Sequence, residues 1–357
     1  MKWTPGAMAL LTAAVLVTLV AVGIGYVVHS EPRDTTFVTS VAGAGSPSSP
    51  SPSPTSPTSP SPRRFIEPVG TVTQTARPTP TKKPSPTKKP KPTKKPAAPP
   101  PELTFTVSSF NVLGASHTRG GARGMAPGAV RARHAAELIR RHGAEVVGFQ
   151  ELQGGQLAVL RRHTNLDFWP GSALRARDTE NSIGWRRDTW AAVDKRVVSI
   201  PYFDGHPRPM PYVKLRHLRT GLEAWFANFH NPADTGRYPH QQRFRDRATA
   251  IEISLANQLV RQSGDPVFIT GDMNERDEYF CRMTAGAPMI AARGGSNVGS
   301  CQPGNPRAVD WIFGSQGVDF TGYTEDRSPL VRRTTDHPVI VARVHIVGDA
   351  PASPTTD

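Results

Sequence analysis

Cysteine is nearly absent from this 357-residue chain: only Cys281 and Cys301 occur, with no matching histidine spacing, so the pair does not make a zinc site. Lysine is scarce beyond residue 101, where 29 of the 31 basic residues are arginine. Neither a dinucleotide-binding G-x-G-x-x-G nor a phosphate-cradling G-x-x-x-x-G-K run is present, which argues against both classes of nucleotide site. No internal repeat occurs in the C-terminal part.

What is abundant is unevenly spread. Half of the 36 prolines fall between Ser46 and Pro101, a stretch that cannot build a core, leaving one globular domain, expected over 102–347 with a disordered tail over 348–357. The net charge of +14 also divides: residues 1–101 carry 12 basic against 3 acidic residues (+9), and residues 102–357 carry 31 against 26 (+5). The high isoelectric point is therefore weak evidence for nucleic-acid binding by the folded part.

After a five-residue leader, residues 6–28 are 23 uncharged and mostly apolar positions, enough for one membrane-spanning helix of about 20 residues. No small-residue cleavage site follows closely, so an uncleaved anchor with the domain outside the cytoplasm is expected; if the segment is cleaved, the protein is secreted. The linker over 29–101 carries three copies of PTKKP at a six-residue period. Its proline density favours polyproline II, in which the 56 residues from Ser46 to Pro101 reach about 170 Å at about 3.1 Å each. The lysine pairs read either as solvation of a disordered spacer or as attraction to anionic wall polymer or headgroups. On an oxidising side, Cys281 and Cys301 are expected to pair, worth about 3 kcal/mol, the alternative being two unrelated buried thiols. No obligate protein partner is evident.

From Leu103 the pattern reads strand, Gly-rich loop, helix over about 129–142 stopped by Gly143, then a second strand. A hairpin about Thr220-Gly221, a long helix over about 239–263 and several further strands follow without strict βα alternation. An α/β sandwich with mixed sheets is expected.

Apolar strands in this part share one habit: each ends in, or adjoins, an acid, amide or imidazole. Asn111 closes TVSSFN, Glu151 closes VVGFQE, His230 closes WFANFH, Asp272 and Asn274 follow VFIT, and Asp336-His337 precedes PVIVARV. Asp310 lies within VDWIFGS. Individually these read as turn formers, solvated strand ends, a satisfied core histidine or Asx turns. Jointly Glu151, Asp336, Asp272 and the amide oxygens of Asn111 and Asn274 make a hard-oxygen set suited to Mg²⁺, Mn²⁺ or Ca²⁺. Two histidines beside it can move protons near neutral pH, and Asp310 can hold one imidazole in its tautomer. Metal, base and acid together describe phosphate-ester hydrolysis.

The ordered series SSFNVLG, GFQELQ, NFHNP, ITGDMNERD, VDWIFGS and TTDHPV resembles the endonuclease/exonuclease/phosphatase superfamily over roughly 103–346. The resemblance implies a four-layer sandwich of two mixed sheets flanked by helices. It implies metal binding by Asn111, Glu151 and Asp336, and water and phosphate held by Asp272 and Asn274. It also implies a His337–Asp310 pair and leaving-oxygen support from His230, these three side chains with Asp272 being the catalytic set. Trp311 stands where tyrosine is common; Glu180 is the nearest candidate partner for His230, and Asn181 a candidate phosphate contact. Three functions follow as expectations: a nuclease-type phosphodiesterase, a phospholipid or small phosphate-ester hydrolase, or a wall-tethered binding module with a degenerate site.

Overall fold

The computed structural model describes residues 99–304 and 307–348. The membrane segment expected over 6–28, nearly all of the linker and the tail beyond 348 lie outside those residues. Among the described residues no helix is long and apolar enough to cross a membrane.

The chain opens with the expected unit: strand β1 (Glu102–Asn111), helix α1 (Gly128–Arg141) and strand β2 (Val146–Gln150), the two strands pairing in parallel. Gly143, with φ of 60°, turns the chain out of α1. Helix α2 (Gly154–His163) leads to β3 (Leu166–Trp169), β4 (Ile183–Arg186) and β5 (Trp190–Pro201). The hairpin expected about Thr220-Gly221 is formed by β6 (Pro207–His217) and β7 (Glu223–His230). The long helix is α3 (Gln242–Ser263), which ends where Gly264 adopts a left-handed cap and donates to the Val260 carbonyl. Then come β8 (Val267–Asp272), α4 (Asp277–Gly286) and β9 (Met289–Ala291). A short ribbon, β10 (Gly295–Ser296) with β11 (Gln302–Pro303), is followed by β12 (Asp310–Ser315) and β13 (Asp319–Asp326). Helix α5 (Pro329–Thr334), capped by the Ser328 side chain, precedes β14 (Val339–Val347).

Two six-stranded mixed sheets result, in the orders β13-β14-β1-β2-β4-β3 and β5-β6-β7-β8-β12-β9. Their facing sides bury one apolar cluster, in which Phe105 meets Trp190, Phe226 and Phe268 edge to face at 5.1, 6.0 and 5.5 Å. A second cluster seats α3 and α4 on the outer side of one sheet, and a third seats α1, α2 and α5 on the other. This is the expected four-layer sandwich. The Cys281–Cys301 disulfide forms, with a Cα–Cα distance of 5.8 Å, and both cysteines pack against the α3/α4 cluster.

Candidate active site

Strand register assembles the first half of the site. Parallel pairing of β7 with β8 sets His230 opposite Asp272, and antiparallel pairing of β8 with β12 sets Asp310 opposite the same Asp272. Residues directly opposite on paired strands share a face, so three functional side chains rise in one row. His337, from the turn between α5 and β14, joins them: its Nδ1 lies 3.1 and 3.0 Å from the two Asp310 oxygens, and its Nε2 3.6 Å from Asp272 Oδ2. His230 Nε2 lies 3.7 Å from that same oxygen. Burial disfavours a charged His337, but Asp310 and Asp272 outweigh it and raise its pKa well above the ordinary imidazole value.

The other sheet supplies the second half. Asn111 ends β1, and its Nδ2 donates both to Glu151 Oε1 at 3.0 Å and to Asp272 Oδ2 at 3.1 Å, tying the two sheets together. Its amide oxygen accepts from the Leu113 N–H at 3.0 Å. The nitrogen, not the oxygen, therefore faces the carboxylates, and in this arrangement Asn111 orients Glu151 rather than offering a ligand oxygen to a hard cation. Glu151 Oε2 accepts from the Gly114 N–H at 2.8 Å and lies 3.2 Å from His117 Nε2. Burial alone would raise the Glu151 pKa; the His117 contact, the charge of His230 and the Gly114 and Asn111 hydrogen bonds outweigh it and hold the carboxyl far below its usual range.

Just past the ends of β1, β2 and β8, Leu113, Glu151 and Asn274 adopt positive φ of 52, 59 and 49°. Non-glycine residues rarely hold that conformation, and it persists where surrounding contacts over-determine it. Asp272 Oδ1 accepts from the Asn274 N–H at 3.0 Å, and Asn274 Nδ2 donates to the Asn231 carbonyl at 2.8 Å. The Asx turn and the functional site are thus one structure.

A cleft of about 480 Å³ opens over these residues, lined by Glu151, Asp272, Asn274, Asp336, His230 and His337. Further lining side chains had no motif in the sequence: His117 and Arg123 on one wall, and Tyr202, Phe203, His206, Arg177 and Arg208 among the others. Their one legible signal is position, since His117 and Arg123 sit in the Gly-rich segment directly after a site strand. Asp310 stands behind His337 and is 2 % exposed.

Besides Asn111, two expected assignments change. Asn181 does not line the cleft: it is 1 % exposed, and its carbonyl accepts from Asn228 Nδ2 at 3.1 Å. Glu180 does not partner His230, because its carboxylate pairs with Arg208 at 2.6 Å. Trp311 keeps a polar tether, donating from Nε1 to the Glu275 carbonyl at 3.1 Å.

Beneath the cleft, Arg131 is fully buried and its guanidinium donates to the carbonyls of Ala126, Val112, Thr334 and Gly114 and to the Thr118 hydroxyl. It knits the segment after β1 to the end of α5, hence to the stretch bearing Asp336 and His337. Between the sheets, Asn228 Oδ1 accepts from Gln150 Nε2 at 2.7 Å and from the Thr270 hydroxyl at 3.1 Å.

The donor set fits a divalent cation. Glu151 and Asp336 are carboxylates in the same cleft, and the depressed pKa keeps Glu151 anionic across the physiological range. Ligand atoms of Asp272, Asp310 and His337 also come within 4.8 Å of one another. There, however, the imidazole is engaged with both Asp310 oxygens, which makes that trio better suited to handling a proton.

Two facing mixed sheets with carboxylates, amides and an Asp-held histidine converging at their strand ends define a phosphoesterase-type hydrolase. The chain belongs to the endonuclease/exonuclease/phosphatase family, whose model matches residues 108–337. Among solved structures it is similar to an endonuclease/exonuclease/phosphatase family protein from Bacteroides thetaiotaomicron, at 19 % identity, covering 69 % of this chain and 98 % of that one with a TM-score of 0.53. It is also similar to a mannosyl-6-phosphatase from the same organism (19 %, 67 % and 99 %, 0.51) and to the human Nocturnin catalytic domain with bound sulfate (16 %, 70 % and 96 %, 0.51). No curated protein matches the sequence.

Proposed function

We propose that the protein is a divalent-cation-dependent phosphodiesterase acting on nucleic acid, held outside the cytoplasm by residues 6–28 and spaced from the membrane by the Pro-rich linker. The observation that carries the reading is the transverse row His230, Asp272 and Asp310, completed by His337 and set against Glu151 and Asp336 in one cleft.

Glu151 and Asp336 would hold Mg²⁺, or Mn²⁺ or Ca²⁺. Such an ion, when bound, supplies Lewis-acid stabilisation of charge on phosphoryl oxygens. Asp272 Oδ2 accepts the proton of the attacking water, held in place by the Asn111 amide and the turn to Asn274. His337 keeps its proton at neutral pH, so it donates from Nε2 to a phosphoryl oxygen rather than activating water. His230 lies at the opposite side of Asp272 and supports the departing oxygen. Arg123, Arg177 and Arg208 in the cleft suit a polyanion, and among the described residues no exposed large hydrophobic side chain lines it, which disfavours a lipid.

The deciding experiment is turnover on plasmid DNA, single-stranded DNA, RNA, sphingomyelin and a panel of phosphomonoesters, each with Mg²⁺ and with chelator. Cleavage of nucleic acid that disappears in chelator and in Glu151→Gln is expected. Full turnover by metal-stripped protein overturns the reading, and hydrolysis confined to monoesters or lipid moves the substrate class.

A further inference from the structure

The segment Ala115–Gly124 lies over the carboxylate pole of the cleft, and its two halves are held very differently. The first half is pinned: the Ser116 N–H donates to Gln153 Oε1 at 3.0 Å, the Ala115 N–H to Gln156 Oε1 at 3.0 Å, and the buried Thr118 hydroxyl accepts from Arg131. The tip is not. Gly120, Gly121, Arg123 and Gly124 all have positive φ, and a Cβ built on any of the three glycines would meet nothing within 4 Å. Among the described residues, one hydrogen-bonded ion pair joins 119–124 to the rest of the domain, from Arg123 Nη1 to Asp336 Oδ2 at 2.5 Å. Both partners are open to water, at 51 % and 42 % exposure.

Asp336 is one of the two carboxylates assigned above to a divalent cation. A guanidinium and a dication compete for the same oxygens, and an exposed ion pair is worth only about 0.2–1 kcal/mol, so the dication wins. The displaced guanidinium then remains on a short, open, Gly-rich tip beside the place where the phosphate enters. Its planar fork matches phosphate oxygens.

We propose that Arg123 is a phosphate-contacting catalytic residue held in reserve by Asp336, and that cation binding at Asp336 hands it to the substrate. The inference rests on the metal-dependent reading above and adds to it a residue that no motif announced. Removing the guanidinium then has two effects of opposite sign: the cation binds more tightly and the phosphate more weakly.

The test uses the full-length chain as wild type, Arg123→Gln and Arg123→Lys. Binding of Mn²⁺ without substrate is followed by the loss of the free-ion electron paramagnetic resonance signal, and binding of inorganic phosphate to the Mg²⁺-loaded protein by calorimetry. For Arg123→Gln, Mn²⁺ binding about two- to fivefold tighter is expected, together with phosphate binding tenfold or more weaker, on the order of a lost charged hydrogen bond. Arg123→Lys keeps the charge and loses the fork, so its Mn²⁺ affinity stays near wild type while phosphate binding still falls. Unchanged or weaker Mn²⁺ binding by Arg123→Gln, or unchanged phosphate binding, overturns the proposal. Wild type that binds no Mn²⁺ overturns the metal reading itself, a result distinguishable from either.

Discussion

A Cβ placed on Gly148 of β2 would lie 1.9 Å from the hydroxyl oxygen of Thr270 on β8, in the opposite sheet. The two sheets therefore touch, backbone to side chain, two residues before the ends of the strands that bear Glu151 and Asp272. Gly148→Ala forces them apart at that point. A loss of about 1–3 kcal/mol, read as a fall of about 3–10 °C in Tm for a domain of this size, is expected together with a larger fractional loss of turnover. Thermal denaturation of Gly148→Ala and of the Gly148→Ala/Thr270→Ala double variant checks it; partial recovery in the double variant is the signature of that contact.

Among the described residues Arg131 has no carboxylate within hydrogen-bonding distance, yet all its partners there belong to segments that carry site residues. Arg131→Met leaves buried carbonyls without donors and should cost about 2–4 kcal/mol. Measured well below Tm, where the variant is folded, kcat should still fall, because Gly114 and Thr334 relax and with them Glu151 and Asp336. Wild-type kcat in a folded but destabilised variant would show that Arg131 serves stability alone.

Glu252 on α3 is fully buried, with Oε2 accepting from the Tyr279 hydroxyl at 2.7 Å, and burial pushes its pKa up from 4.5 to about 7. The folded value lies above the unfolded one. Its contribution is therefore fully present below about pH 4.5 and is lost as the pH rises through about 7, a difference of about 3 kcal/mol. Denaturant unfolding at pH 4.5, 6 and 8 should show the decline, and Glu252→Gln should flatten it. An equal pH slope in wild type and variant would remove Glu252 from the account.

His337 and His230 flank Asp272 Oδ2 at nearly equal distances but have unequal partners, only His337 being held by a second carboxylate. His337→Ala should abolish cleavage of every phosphate ester. His230→Ala should cost most when the leaving group is a sugar alkoxide and least with a nitrophenolate, which departs unaided. The ratio of wild-type to variant rates on a natural diester and on a nitrophenyl ester measures this; equal losses, with chemistry rate-limiting, would show that His230 plays another part.

The strand-end residues were legible because each follows its own apolar run, and the ordered motifs located them without any knowledge of which strands are neighbours. The loops were not. Asn181 and Glu180 lie in a segment whose path is set by the Asn228 amide and by Arg208, more than 25 residues away in sequence. For Asn111, residue type says nothing about which end of the carboxamide faces the site, and the Leu113 N–H decides that. Helix α2 has no counterpart in the sequence reading, where the apolar run of β2 continues without a break into Glu151. In the structure the chain leaves β2 at Gln150 and turns at Glu151 through a left-handed conformation that no side-chain pattern advertises. The Gly-rich segment after β1 offered cations without a partner until the turn bearing Asp336 was folded against it.

The row His230, Asp272 and Asp310 crosses three strands at a single level. Sliding any one of them by one residue would swing its side chain to the opposite face. A sheet misaligned at one of these strands remains compact while that strand's group leaves the cleft. Turnover is therefore a proofreading signal for assembly: specific activity counts the fraction of chains whose strands have come together in the right alignment, a quantity that circular dichroism or solubility would overstate.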